Sequence, residues 1–225
     1  MTGTFAVDLQ AAPGDLRSVG ILGGTFNPPH IGHVALARYA RAELGLDRML
    51  LMPANVAPNK PTAGEDPGPE HRLAMCRLAV AGEPGVEVSA LELERGGTSY
   101  MVDTLQAIHD TRPDAELTLI LGADTALTLP SWRDPARLLE LADLAVAERD
   151  GLDCEDVREA LELTPRMTPL RMDKIAVSSS QIRELVATGD PVTGLVGEAV
   201  ARYIGEHGLY RAHVGRAPAR ERGAA

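Results

Sequence analysis

Short apolar runs alternate along this chain with stretches whose apolar residues recur every three or four positions. Residues 18–22, 48–52, 86–93, 116–121 and 144–147 are near-continuous or alternating in Val, Ile, Leu, Met and Ala, and read as strands. After residue 31 the period changes: Val34, Leu36, Ala37, Ala40 and Leu44 share one helical face. Leu73, Met75, Cys76 and Val80 mark a helix over 70–80, and Val102, Leu105 and Ile108 mark another after Tyr100. The stretch 152–163 reads as an acidic, partly exposed helix, and 198–206 as a final one. The distance between the first two strands suits a strand–helix–strand crossover, so an α/β fold with a parallel sheet is expected.

Length and composition narrow the picture. The 225 residues suffice for one sizeable α/β domain over residues 18–212. Residues 1–17 and 213–225, rich in Gly, Ala, Pro and Arg, are expected to be a flexible N-terminal extension and a disordered tail. No internal repeat is visible. The net charge of −10 argues against a nucleic-acid binder or a binder of anionic membranes, but leaves room for a local cationic site. No apolar run reaches transmembrane length and no signal-peptide pattern is present. Cys76 and Cys154 occur without a C-x-x-C pair, which suggests free thiols in a reducing, cytoplasmic setting. Homo-oligomerisation is left open.

The chemistry concentrates in Gly20-Ile21-Leu22-Gly23-Gly24-Thr25-Phe26-Asn27-Pro28-Pro29-His30-Ile31-Gly32-His33. An apolar strand runs into Gly23-Gly24, where the chain can turn sharply and expose its N–H groups. Asn27-Pro28-Pro29 can neither extend the strand nor enter a helix interior. A helix then begins near Ile31. Strand, glycine turn and helix N-terminus together favour an anion. His30 and His33 stand three residues apart at that helix mouth, where an imidazole can donate to a phosphate oxygen. Either histidine alone could equally be a surface group or a helix cap.

A second string has the same character. Ser178-Ser179-Ser180-Gln181-Ile182-Arg183 fits a capping box through Ser178 and Gln181, and its hydroxyls with Arg183 one turn in would also hold phosphates. Between the two lie shorter signals. The loop 53–61 is punctuated by prolines and carries Asn55 and Lys60, one of two lysines in the chain. Arg95-Gly96-Gly97-Thr98-Ser99-Tyr100 turns into a helix that Thr98 or Ser99 could cap. Gly122-Ala123-Asp124 leaves a strand, and Asp124 could cap the next helix or accept from a ribose hydroxyl. Trp132, the single tryptophan, is by default a packing residue.

The first string resembles the nucleotidylyltransferase superfamily, whose mark is T/H-x-G-H after the first strand. More closely, residues 23–33 resemble the bacterial nicotinate-nucleotide adenylyltransferases. The resemblance extends over about residues 19–210, ending at His207-Gly208-Leu209-Tyr210. It implies a Rossmann-like, doubly wound sheet with a small C-terminal helical subregion. It implies catalytic roles for His30 and His33. ATP contacts would fall on Gly23, Gly24, Thr25, Phe26, Gly122, Asp124, Arg149, Ser179, Ser180 and Arg183. Mononucleotide contacts would fall on Asn55, Lys60, Thr98, Ser99, Tyr100 and Trp132, the last two walling a pyridine ring. The chain departs from the family at Asn59, where a histidine is usual, at Asp150, where proline is usual, and at Val177, where isoleucine is usual.

The implied activity is adenylyl transfer from ATP to nicotinate mononucleotide, a step in making NAD. The residues agree with that chemistry. The mononucleotide phosphate can attack the α-phosphorus itself, so no enzyme nucleophile is needed; in-line placement of two anions and donors for the growing charge are. Mg²⁺ is expected to arrive with ATP, and no cluster of zinc-ligand residues is visible. Rival readings keep the fold and change the acceptor to nicotinamide mononucleotide or phosphopantetheine. Phosphopantetheine enzymes are shorter and lack the Tyr100 and Trp132 segments. A class I aminoacyl-tRNA synthetase would need a lysine-rich second motif and more chain. A non-catalytic nucleotide sensor could dispense with His30, His33 and Arg183.

Overall fold

The computed structural model describes residues 17–58, 66–148, 154–161, 167–173 and 175–211. The two predicted terminal extensions therefore lie almost wholly outside the described residues. Six strands form one sheet: β1 (Ser18–Gly24), β2 (Arg48–Pro53), β3 (Val86–Val88), β4 (Glu116–Gly122), β5 (Asp143–Ala147) and β6 (Met167–Leu170). Their order is β3-β2-β1-β4-β5-β6, and every neighbouring pair is parallel. This is the doubly wound, Rossmann-like arrangement, with its topological switch between β1 and β4.

Both faces of the sheet are covered, which explains the near-continuous apolar strands. Leu50 and Met52 of β2 face one way with Ile21 and Leu119; Met49 and Leu51 face the other with Leu22 and Ile120. The first face packs on α4 (Met101–Thr111), α5 (Ala123–Ala126), α6 (Pro135–Leu141) and α7 (Cys154–Leu161). The second packs on α1 (Ile31–Glu43) and α2 (Pro69–Ala79). A third cluster joins Met75 of α2 to α8 (Ser179–Thr188), α9 (Thr193–Val196) and α10 (Glu198–Glu206) through Ile182, Val196, Val200 and Ile204. This is the small C-terminal helical subregion.

One local expectation changes, and two elements show more than their sequence pattern. The strand expected over 86–93 stops at Val88. Ser89 N–H still donates to Leu51 O, but the Ser89 hydroxyl then accepts from Leu91 N–H and a short helix, α3 (Leu91–Arg95), begins. Its Leu-x-Leu alternation imitated a strand. β6 carries no clear strand pattern because Pro169 interrupts it; as the sheet's edge, it tolerates a missing donor. The helix α7 is less peripheral than its charge suggests: Cys154, Val157 and Leu161, spaced three and four apart, are all buried. Both cysteines are buried, and burial pushes the Cys76 thiol far above its usual range. Among the described residues, no helix is long and apolar enough to cross a membrane.

Candidate active site

A cleft of about 900 Å³ opens at the carboxyl ends of the strands, over the switch between β1 and β4. Such a crevice is where doubly wound sheets hold ligands. Gly23, Gly24, Thr25 and Phe26 line it from the exit of β1, and His30 and His33 from the start of α1. Asn55 comes from the exit of β2, Ser99 and Tyr100 from the start of α4, Gly122 from the exit of β4, and Trp132 from the turn that follows. Ser179, Ser180 and Arg183 of α8 close the other wall. Strings 150 residues apart in sequence thus face one space.

The two imidazoles stack, with ring centroids 3.7 Å apart and planes 24° from parallel. His30 is the N-cap of α1, and its backbone N–H donates to His33 Nδ1 at 3.2 Å. A neutral His33 therefore carries its proton on Nε2. The capping and ligand readings of this pair are compatible, because the cap uses one ring nitrogen and leaves the other as a donor. Phe26 packs against one member of the pair: its ring meets His33 edge-on, with centroids 4.9 Å apart. Phe26 takes a left-handed φ of 51°, and a Cβ at Gly24 would come within 3.2 Å of its ring. A Cβ at Gly32 would sit 3.1 Å from both His30 Nδ1 and Val177 Cγ1. Gly24 and Gly32 thus make room for the side chains packed around the histidine pair.

Helix α8 is capped by Ser178, whose hydroxyl accepts from Gln181 N–H at 3.2 Å. Its next residues bind the histidine loop. Ser179 Oγ donates to Pro28 O at 2.8 Å, and Arg183 Nη1 donates to Asn27 O at 2.9 Å while Nη2 donates to Ser180 Oγ at 3.2 Å.

On the opposite wall, two loops are stitched together. Val56 and Thr98 form a parallel bridge, Ser99 N–H donates to Val56 O, and Asn55 Nδ2 donates to Gly97 O. Ser99 Oγ accepts from Asn55 N–H at 2.8 Å. Neither Thr98 nor Ser99 caps α4; the cap position belongs to Tyr100, because the Ser99 hydroxyl is drawn into the neighbouring loop. Thr98 does not line the cleft. Neither does Asp124, which lies exposed in the first turn of α5 behind its N-cap, Gly122. Trp132 is half-buried, with Nε1 donating to Thr128 Oγ1 at 2.9 Å, and the Arg133 guanidinium lies 4.7 Å above the Tyr100 ring. Lys60 and Arg149, with Asn59 and Asp150 beside them, lie outside the described residues.

Sequence reading missed two buried charges. Arg72, 1% exposed, donates to Thr25 O, Ala54 O and Asn55 O and pairs with Asp66 at 3.1 Å. It ties the exits of β1 and β2 together. Glu92, 2% exposed, accepts from Thr104 Oγ1 at 2.6 Å at the back of the Ser99 wall. Burial raises its carboxyl above the usual range, against hydrogen bonds from Thr104 and Ser99 and the charges of Arg95 and Arg72. The signal for Arg72 was faint: it stands directly before Leu73, on the edge of the apolar face of α2.

A parallel sheet in this order, with a glycine turn and paired histidines at its switch, is the frame of a nucleotidyltransferase. The sequence profile of the cytidylyltransferase-like family matches residues 21–185, and the chain belongs to that family. It is 44% identical over 196 residues to a probable nicotinate-nucleotide adenylyltransferase of Roseiflexus sp. (strain RS-1), covering 86% of this chain and 98% of the relative. A protein of the same name from Gemmatimonas aurantiaca is 40% identical, covering 86% of this chain and 92% of its own length. The fold is shared with Plasmodium falciparum nicotinic acid mononucleotide adenylyltransferase complexed with NaAD. That likeness has a TM-score of 0.73 at 16% identity and covers 86% of this chain and 97% of that one.

Proposed function

We propose that this nucleotidyltransferase moves the adenylyl group of ATP onto nicotinate mononucleotide, giving nicotinate adenine dinucleotide and pyrophosphate for NAD biosynthesis. The observation that carries the reading is the joining of both phosphate-type strings, His30–His33 and Ser179–Arg183, with Tyr100 and Trp132 in one cleft. The names of the relatives agree with it. ATP would lie along the β1 exit, with its outer phosphates toward the start of α8 and Arg183. The pyridine ring would lie toward Tyr100 and Trp132. The mononucleotide phosphate attacks the α-phosphorus in line, and pyrophosphate leaves from the opposite side. Imidazole N–H donors, the N-termini of α1 and α8 and the Arg183 fork stabilise the charge growing on the phosphate oxygens. Lys60 and Arg149 would add charge, and Gly122 would allow close approach of the ATP sugar, with Asp124 beside it.

The nucleotide substrate is taken as Mg²⁺-ATP. The phosphate end of the cleft is lined by His30, His33, Ser179, Ser180 and Arg183, side chains that donate rather than ligate a hard cation. That donor set suits an ion carried on the phosphates rather than held in a protein cage.

The deciding experiment is pyrophosphate release with a panel of acceptors at fixed Mg²⁺-ATP: nicotinate mononucleotide, nicotinamide mononucleotide and phosphopantetheine. Nicotinate mononucleotide is expected to win. Its carboxylate only accepts hydrogen bonds, and the start of α4 at Tyr100 presents N–H groups and the positive end of a helix dipole. The amide's NH₂ would meet donors there, a mismatch of about 1–3 kcal/mol, or roughly one to two orders of magnitude in kcat/KM. Equal values, or a preference for the amide, would show that the pyridine pocket is misplaced.

Arg183→Lys should raise the KM for ATP about tenfold and alter the mononucleotide KM much less, because a point charge cannot span both Asn27 O and Ser180 Oγ while meeting phosphate. Unchanged ATP kinetics with collapsed mononucleotide binding would reverse the two half-sites.

A further inference from the structure

We propose that Tyr210 is a positioning residue for the reaction: its hydroxyl fixes the side chain of Asn27, and through it the loop that delivers His30 and His33. The proposal rests on the functional reading above only for the reaction in which its effect is measured.

Two independent observations point to it. Tyr210 Oη donates to Asn27 Oδ1 at 2.7 Å, across 183 residues of sequence. And Tyr210 holds a left-handed φ of 59°, a region that bulky residues avoid and that persists where surrounding structure over-determines it. The preceding turn supports this placement. Gly208 is also left-handed, at 61°, and Leu209 is buried in the C-terminal cluster, with its N–H donating to Ile204 O. The chain is thus wound back after α10 so that the phenol points into the molecule. Burial lifts that phenol above its ordinary range, with the Asp66 carboxylate adding to the shift, so the hydroxyl keeps its proton and remains a donor.

What it holds has little support of its own kind. Residues 25–30, between β1 and α1, have no sheet ladder or helix to fix them, and the loop passes through the left-handed Phe26. Side chains from elsewhere in the fold supply the anchors: Arg72 of α2 on Thr25 O and, from the C-terminal subregion, Arg183 on Asn27 O, Ser179 on Pro28 O and Tyr210 on the Asn27 side chain. Arg183 and Ser179 line the cleft, whereas Tyr210 does not line it and reaches it through Asn27. It also lies beyond residue 185, where the family profile match ends. The C-terminal helices therefore reach the reacting phosphate by two routes, one direct and one through the loop.

The test is Tyr210→Phe in the full chain, which keeps the ring and removes one hydroxyl. Loss of one loop-fixing hydrogen bond should lower kcat about tenfold, since small displacements at the reacting atoms are costly, while both KM values change less than about twofold. Asn27→Ala should cost a similar factor, and the double variant should be no slower than the slower single one, because both remove one contact. The His30 and His33 imidazole NMR signals should shift in substrate-free Tyr210→Phe, a readout that a merely structural tyrosine would not move. Unchanged kcat with unmoved imidazole signals would overturn the proposal, and so would additive losses in the double variant. If no acceptor in the panel supports turnover of the parent chain, the functional reading fails, and the imidazole signals alone decide the role of Tyr210.

Discussion

His30→Ala and His33→Ala should each lower kcat by about 10²–10³ while leaving the chain folded, as loss of one transition-state donor does at other charge-stabilising sites. The expectation rests on geometry as well as on residue type. The rings stack at 3.7 Å on the wall of the cleft, and His33 is turned by the bond from His30 N–H so that its neutral form donates through Nε2. Removing His33 also removes the acceptor at the N-cap of α1, which costs about 1 kcal/mol of stability. A fall of 10²–10³ in rate corresponds to about 3–4 kcal/mol, so the catalytic loss should stand well clear of the structural one. Thermal unfolding and single-turnover rates on the same preparations separate the two. A folded His30→Ala/His33→Ala double variant with near-normal turnover would refute a role for the pair in charge stabilisation.

The part of this site that could be read from sequence is the part whose chemistry is local. Gly23 to His33 packs strand exit, turn, helix start and both imidazoles into eleven consecutive residues, so its order along the chain is its order in space. The doubly wound sheet was legible for a similar reason: β1, β2, β4 and β5 are buried on both faces and read as apolar runs. β6 was not, because Pro169 breaks the pattern at an edge where the fold tolerates it.

The hydrogen bonding between distant strings was not legible. Ser178 to Arg183 could be recognised as a capped, phosphate-type helix start, but its grip on Pro28 O and Asn27 O spans 151 and 156 residues. Nothing within either string encodes that contact. Ser99 shows the same limit from the other side. A hydroxyl just before a helix reads as a cap, yet this one accepts from Asn55 N–H in the loop that the bridge between Val56 and Thr98 brings alongside. Glu92 is one acidic residue among several in Leu91-Glu92-Leu93-Glu94, and only the fold places Thr104 against it.

Replacing Arg72 by Met should destabilise the chain by about 3–5 kcal/mol, the cost typical of breaking a buried ion pair from one side. The side chain is 1% exposed and its guanidinium serves four acceptors: Thr25 O at 2.9 Å, Ala54 O at 2.6 Å, Asn55 O at 2.9 Å and Asp66 Oδ1 at 3.1 Å. Methionine fills much of the volume and donates to none of them. Three carbonyls at the ends of β1 and β2 would lose their donor, each a loss of about 1–3 kcal/mol where water cannot reach. The losses overlap because the loops relax, which is why the sum should not be reached. Domains of this kind have about 5–15 kcal/mol in total, so the variant should fold but melt early in urea. Arg72→Lys should recover part of the stability, since it keeps the charge opposite Asp66 but cannot fork across Thr25 and Asn55. Because those two carbonyls belong to the loops proposed above to hold ATP and the mononucleotide, Arg72→Lys should also lose kcat/KM for both substrates together. An unfolding free energy for Arg72→Met within about 1 kcal/mol of the parent, from urea curves of unchanged m-value, would mean that the two strand exits hold their positions without the guanidinium. A normal kcat/KM in Arg72→Lys would mean that their spacing does not govern the chemistry.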